Sequence, residues 1–571
     1  MPGKTKKTKP ARKSKPYKHP IPSKNELIEF LEKAGKPLKI QKILDHFALK
    51  GQRMRSLLGD RLYSMVRAGQ ILENRRGEYC LTAKLDLVTG TVSGHRDGFG
   101  FVIRDDGEAD DVYLSAREMR SLFDGDRVAI RIRGLDRRGR AEGDLVDVLE
   151  RGIQEVAGQY IRERGIGIVI PDNPRISHRI LIPKDEAGKA KPGDMVVVEI
   201  LDFPTQIEQA TGRITTGMGK PGEKGIATDI AIHSHGIPFE WPKSVLGEIR
   251  SYGSEVPRKA KAGREDLRSV NLVTIDGADA RDFDDAVFCE KSGKGWRLLV
   301  AIADVSHYVS VGTELDKEAT RRGTSVYFPD RVVPMLPEIL SNGLCSLNPK
   351  VDRLCMVCEM RVSDEGKVTR STFYEAVMRS KARLTYSQVS DFLEGEKNNA
   401  VPRDLQPSIG ELHSLYRAFA KARARRGAIE IDLPQTKFKL NKDGEIERIE
   451  VVARNDAHRL IEECMIAANV EAAKFLKKHR IPGLYRVHPK PDVDRFGELR
   501  LYLVSLGLKV AHPDHVEPRH FTELIRQIKD RPDAAAITMA MLRSLTHAEY
   551  TPKNVGHFGL SLASYAHFTS P

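Results

Sequence analysis

Hydrophobic positions recur at helical spacing in three places within the first eighty residues. Ser23 and Glu26 stand at capping-box spacing ahead of Leu27, Phe30 and Leu31. Gly35 and Pro37 close that helix. Ile40, Ile43, Leu44 and Phe47 form a second apolar stripe, and Leu57, Leu58, Leu62, Met65 and Val66 a third. The run ILENRRGEYCL then reads as two short strands around a turn near Gly77. Three helices and a β-wing predict a winged helix-turn-helix over residues 22–84. A generic helical packing module has the same pattern.

Beyond residue 84 the apolar period shortens to that of strands, and a repeat appears. One copy is VTGTVSGHRDGFGFVIRDDGEADDVYLSAREMRSLFDGDRVAIRI, the other VAGQYIRERGIGIVIPDNPRISHRILIPKDEAGKAKPGDMVVVEI. Gly90 to Gly125 and Gly158 to Gly193 cover the same interval, and GFGFV in one copy stands where GIGIV stands in the other. Five short strands with glycine turns predict two OB-type β-barrels, over 85–150 and 151–235. In the first, Phe99, Phe101 and Tyr113 lie among Arg96, Arg104 and Arg117. Aromatics on a strand face stack bases while cations hold phosphates; some of these rings would equally fill the barrel. The second copy lacks such aromatics. The first resembles a cold-shock domain.

A connector is expected over 236–265, and then a large α+β domain over 266–571. RLLVAIADVSHYV (297–309) and RLCMVCEMRV (353–362) read as buried strands. DAHRLIEECMIAANVEAAKFLKKH (456–479) reads as a long amphipathic helix whose basic end suits the helix dipole.

The chain has 571 residues, 40% hydrophobic and 30% charged, which fits a soluble multidomain protein. No apolar run approaches the ~20 residues of a membrane helix. Residues 1–21 read as a basic disordered tail, with Lys or Arg at 4, 6, 7, 9, 12, 13, 15 and 18 and no secretory signal. The formal charge of +14 points to nucleic acid. Six scattered cysteines make no disulfide framework and suit a reducing cytosol. Cys355 and Cys358 form one CxxC without a second pair, so a strand interior is expected there rather than zinc.

Against this basic background stands TIDGADARDFDDAVF, with Asp276, Asp279, Asp282, Asp284 and Asp285. Carboxylates so close repel one another and need a counter-charge. Hard oxygen ligands in a loop suit Mg²⁺, and two such ions can activate water and stabilise a leaving oxygen at a phosphodiester. A solvated acidic turn is the other reading, and the EF-hand pattern is absent.

TIDGADARDFDDAVF, GTSVYFPDRVVPMLPEILSNGLCSLNP, IEECMIAAN and GHFGLSLASYAHFTSP, in that order, resemble the ribonuclease II/ribonuclease R family. With the winged helix and paired barrels upstream, the resemblance is to the ribonuclease R branch. It implies a processive 3′→5′ exoribonuclease that hydrolyses RNA to nucleoside 5′-monophosphates with Mg²⁺, in the cytoplasm and as a monomer. Asp276, Asp282, Asp284 and Asp285 match the family aspartates. Asp276 and Asp285 would be the closest metal ligands, Asp282 would hold metal or its waters, and loss of Asp284 would damage the chemistry most. Asp279 occupies a variable place in the motif. Tyr327 matches the tyrosine that stacks near the RNA 3′ end and sets the final product length, and Phe438 a phenylalanine completing the clamp. His307 is expected to be structural. At most one of Glu462 and Glu463 is expected to face the site. Arg486 and His488 fit phosphate contacts or a solvated turn. In the family, HFTSP continues with I-R-R-Y, a third OB-fold and a lysine-rich tail. The resemblance thus implies a C-terminally truncated catalytic domain. An arginine there would stabilise developing phosphate charge, so the alternative is a non-catalytic RNA-binding or remodelling protein, or an inactive fragment.

Overall fold

The computed structural model describes residues 21–568, apart from 35–36, 74–76, 82–86, 108–109, 137–138, 397–398, 432–434, 443, 453 and 513–514. The basic tail up to residue 20, the helix stop at Gly35 and the boundary expected at 84–85 lie outside the described residues. The chain divides into two compact units, Met1–Ile237 and Pro238–Pro571.

In the first unit, helices Lys24–Ala34, Ile40–His46 and Gln52–Arg67 pack on a small sheet. There Glu78–Leu81 lies between Leu38–Lys39 and Ile71–Glu73. The capping box forms: the Glu26 amide donates to Ser23 Oγ at 3.3 Å and the Ser23 amide to Glu26 Oε2 at 2.6 Å. Leu27, Ile43, Leu58, Leu62 and Met65 are fully buried, as their helical spacing requires, whereas Leu57 is exposed.

Two closed five-stranded barrels follow. The first joins Leu87–Gly94, Gly100–Arg104, Val112–Leu114, Ala141–Glu150 and Arg127–Leu135 in ring order. The second joins Glu155–Glu163, Ile166–Pro171, Ile180–Ile182, Thr211–Gly219 and Met195–Asp202 in the same order. The repeat has a steric cause. A Cβ on Gly90 would stand 2.2 Å from the Ile103 carbonyl oxygen, and one on Gly158 would stand 2.3 Å from that of Ile170. Gly125 and Gly193 both take positive φ, 82° and 100°, and donate their amides to Val92 and Tyr160 respectively. Gly158→Ala is therefore expected to cost ~3 kcal/mol or more. The check is faster amide exchange across residues 155–219. Gly217→Ala, with nothing within 4 Å of its added Cβ, should leave exchange unchanged; the reverse order would refute the steric account. The helix Ile226–Ser234 lies against the strands of the second barrel.

The second unit is built on a five-stranded sheet in the order Glu265–Leu267, Val368–Arg379, Asp352–Val362, Gly295–Ala303, Asp285–Ser292. Side chains alternate between its faces. Leu298, Val300 and Cys358 pack with helices Gln406–Arg426 and Asp456–His479 on one face. Leu299, Ala301 and Cys355 pack with Leu340 and Leu344 on the other. The CxxC pair is thus divided between two cores, both thiols free and buried. Val245 and Val256, within the stretch expected as a connector, are buried in the second of these cores. The helix Asp456–His479 has the predicted bounds, with Asn455 Oδ1 accepting from the His458 amide at 3.2 Å. The strand expected over 297–309 stops at Ala303, because Asp304 turns to accept from Arg264 at 2.6 Å and from Ser306 at 2.8 Å. A 3₁₀ turn follows, leaving His307 exposed. Strands Gln435–Leu440 and Ile446–Val452 form a two-stranded hairpin. Among the described residues, no helix is long and apolar enough to cross a membrane.

Candidate active site

The aspartate loop runs between two pinned ends. Asp276 ends the strand Thr274–Asp276, which pairs in parallel with Arg383–Thr385. Asp285 opens the edge strand of the large sheet, opposite Ile302. Between them Phe283 is buried, and its neighbours Asp282 and Asp284 stay half-buried. Ser346, in the CSLNP stretch, holds the loop from beneath. Its hydroxyl donates to the Arg281 carbonyl at 2.9 Å and accepts from the Phe283 amide at 3.1 Å. The Leu347 amide donates to the Phe283 carbonyl at 2.7 Å, and that of Ala303 to the Asp284 carbonyl at 2.9 Å.

This frame gathers four half-buried carboxylates. Burial, reinforced by Asp282 and Asp276, pushes Asp284 up to about 6. Burial, reinforced by Asp284 and Asp276, pushes Asp285 up to about 7. Asp276 is also raised, by burial first, although the Gly277 amide donates to it at 2.6 Å. Among the described residues, no lysine or arginine forms an ion pair with Asp276, Asp282, Asp284 or Asp285. Asp279 differs: Lys437 pairs with it at 2.8 Å and holds its carboxyl below the usual range. Glu462 and Glu463 are compensated too, both bonded to Arg423, at 3.1 and 2.7 Å.

The four aspartates are an all-oxygen set with no ion-paired cation among the described residues, which fits a hard divalent ion. Among the described residues, no three His, Cys, Asp or Glu side chains are already drawn together as a metal-holding group. Repulsion keeps unneutralised carboxylates apart, and Mg²⁺ needs only one or two of them besides water and phosphate oxygens.

The expected aromatics divide. Tyr327 donates its hydroxyl to Asp282 Oδ2 at 2.7 Å while the residue is 64% exposed. Burial, then the bond to Asp282, raise its pKa. Asp282, Asp284 and Tyr327 line a cavity of about 140 Å³ with Ser325 and Ser346. Phe438 lies on the hairpin, opposite Ile449. Its neighbour Lys437 reaches the loop, and alternation along the strand turns Phe438 to the other face. Arg486 lies 4.6 Å from the centre of the Tyr550 ring, and His488 Nδ1 accepts from the Gly559 amide at 3.1 Å.

Motif reading missed three contributors: Ser346, Arg383 and Tyr386. Tyr386 stacks on His458 at 3.9 Å, and the fields of Asp276, Asp285 and Asp284 add to burial in raising its pKa.

In the first barrel, Phe99, Phe101 and Tyr113 form one cluster, with centroids 5.7–5.9 Å apart. All three are half-buried and lie outside the barrel core. Phe101 and Tyr113 are cross-strand partners, and His95 stacks on Phe99 at 4.2 Å. Arg140, which the sequence reading passed over, places its guanidinium 4.7 Å from the Tyr113 ring centre and 5.4 Å from that of Phe101.

Residues 264–571 match the RNB domain family. Residues 90–148 match the ribonuclease B OB domain and residues 168–242 the cold shock domain. The cold-shock likeness expected of the first barrel is thus matched on the second, and the first matches the OB family. Ribonuclease R of Escherichia coli strain K12 is 49% identical over 562 residues, covering 98% of this chain and 69% of that protein. Mycoplasma genitalium RNase R in complex with ribose methylated single-stranded RNA has a TM-score of 0.80 at 26% identity, covering 85% of this chain and 77% of that one. The same enzyme in complex with double-stranded RNA has a TM-score of 0.71 at 27% identity, covering 77% and 78%.

Proposed function

The chain belongs to the ribonuclease II/ribonuclease R family, and from that premise we propose how it works as a 3′-to-5′ exoribonuclease. It hydrolyses RNA processively to nucleoside 5′-monophosphates, by attack of water on the 3′-terminal phosphodiester, in RNA degradation and turnover. The observation that carries this reading is the loop of four half-buried carboxylates, none ion-paired to a lysine or arginine among the described residues, beside the exposed Tyr327. The non-catalytic alternative is not favoured, because all four carboxylates are present on one loop.

Asp276, Asp285 and Asp282 would hold a divalent ion, Mg²⁺ in this proposal, or its waters. When bound, the ion activates water and stabilises charge at the phosphodiester oxygens. Asp284 is the carboxylate on which the chemical step depends most. Tyr327 stacks on a base near the 3′ end, its hydroxyl fixed by Asp282, whereas Phe438, on the strand face opposite Lys437, is left out of the clamp. Stacking tolerates any sequence because every base has a π-face. Phe99, Phe101 and Tyr113 hold RNA on the first barrel. Residues 22–84 make a winged helix-turn-helix, a reading supported by their helix–strand–helix–helix–hairpin order. The protein acts in the cytoplasm as a monomer.

Single-stranded RNA labelled along its length, incubated with the protein and Mg²⁺, should release mononucleotides from the first time point. Internal fragments appearing first would overturn the proposal. Tyr327→Ala is expected to lengthen the end product and to weaken retention of short oligomers ~10-fold, within the ~1–3 kcal/mol of one stacked base. An unchanged end product would remove Tyr327 from the clamp.

A further inference from the structure

We propose that Arg383 is a positioning residue for the aspartate loop, gathering its backbone carbonyls so that the carboxylates remain free for a divalent ion. The inference rests on the metal-dependent reading above and assigns part of that work to a side chain about a hundred residues away in sequence.

Arg383 opens the strand Arg383–Thr385, directly opposite Thr274 in the parallel pair. That register sets its guanidinium against the loop leaving Asp276. Nη2 donates to the carbonyls of Ala278 at 2.5 Å, Ala280 at 3.2 Å and Gly277 at 3.5 Å. The guanidinium carbon stands 5.0 Å from the centre of the Phe283 ring. One planar cation therefore spans the loop from Gly277 to Phe283, although the side chain as a whole is exposed.

The choice of acceptors matters. An arginine bonded to the carboxylates would neutralise them and compete with a metal. Bonded to the carbonyls, it curls the backbone around a positive centre and resists the spreading that four like charges impose. Ser346 fixes the later part of the loop through Arg281 and Phe283. Lysine is a poor substitute, because an ammonium lacks the planar face that lies against Phe283.

The test compares wild type with Arg383→Ala and Arg383→Lys, each stripped of metal. Mg²⁺ affinity is read by calorimetry, RNA affinity in EDTA by fluorescence anisotropy, and loop mobility by amide exchange over 277–284. Removal of an outer partner of a metal site weakens affinity ~10- to 100-fold. That loss is expected for Arg383→Ala, with faster loop exchange, unchanged RNA affinity in EDTA, and activity recovered at high Mg²⁺. Arg383→Lys should lie between the two, and it carries the test if the alanine variant does not fold. Unchanged Mg²⁺ affinity in a folded variant overturns the proposal. So does a loss of RNA affinity without a loss of Mg²⁺ affinity, which would make Arg383 a phosphate contact. Wild-type protein that binds no Mg²⁺ and is active without it would instead refute the metal-dependent reading itself.

Discussion

Asp284→Asn is expected to abolish release of mononucleotides, a loss of at least ~10²–10³ in the single-turnover rate, while RNA affinity stays at the wild-type level. The substitution keeps the side chain's shape and removes its charge. The Asp284 backbone is fixed by the Ala303 amide, so the loop has no reason to refold around the amide. RNA affinity should survive because the aromatic cluster at Phe99, Phe101 and Tyr113 belongs to the other unit. Quenched-flow cleavage and anisotropy on the same preparation separate the two effects. Cleavage persisting in the variant would remove Asp284 from its assigned role.

Asp285→Asn should stabilise the metal-free fold. Asp285 is held up at about 7, first by burial and then by Asp284 and Asp276, against ~4 in the unfolded chain. Between those values the folded state keeps a proton that the unfolded state has lost. This group's contribution is therefore fully present below pH ~4 and is lost as pH rises through 7. A shift of about three units corresponds to a few kcal/mol, on the order of ~3–4, at pH 8. Metal-free Asp285→Asn should accordingly melt several degrees above metal-free wild type at pH 8, with the gap narrowing to roughly a third by pH 5 and closing below pH ~4. Addition of Mg²⁺ should raise the wild-type transition and scarcely move that of the variant. Equal melting at pH 8 without metal would show that Asp285 bears no such cost.

Sequence pattern captured whatever depends on neighbours in the chain. The helix Asp456–His479 was legible to the residue, because its cap, its period and its basic end are all local. The barrels were legible because each demands glycine where two strands touch, as at Gly90 and Gly158. The aspartate loop was legible as a dense motif, and Asp279, set aside there for its variable place, is the one that pairs with Lys437. What supports the loop was hidden. Ser346 and Arg383 reach it through tertiary pairing, from 65 and 105 residues away. Ser346 lies in a block that drew notice for Tyr327 alone, and Arg383 lies outside every such block. Arg140 was missed for the same reason, since its rings lie on strands well upstream. The early end of the strand at Ala303 also depended on a remote partner, Arg264.

The two barrels share a ring order and their paired glycines, yet they would exert different friction on a passing strand. Aligned through the pairings Phe101 with Tyr113 and Ile168 with Leu181, the aromatic positions of the first barrel become Ile166, Ile168 and Leu181 in the second. Ile168 is buried there, as is Tyr160, the tyrosine of that copy. If RNA is held on these faces as proposed, a base would meet flat rings on the first barrel and only aliphatic branches at the matching place on the second. The duplicated fold would then combine a brake with a smooth bearing, the difference resting on three side chains.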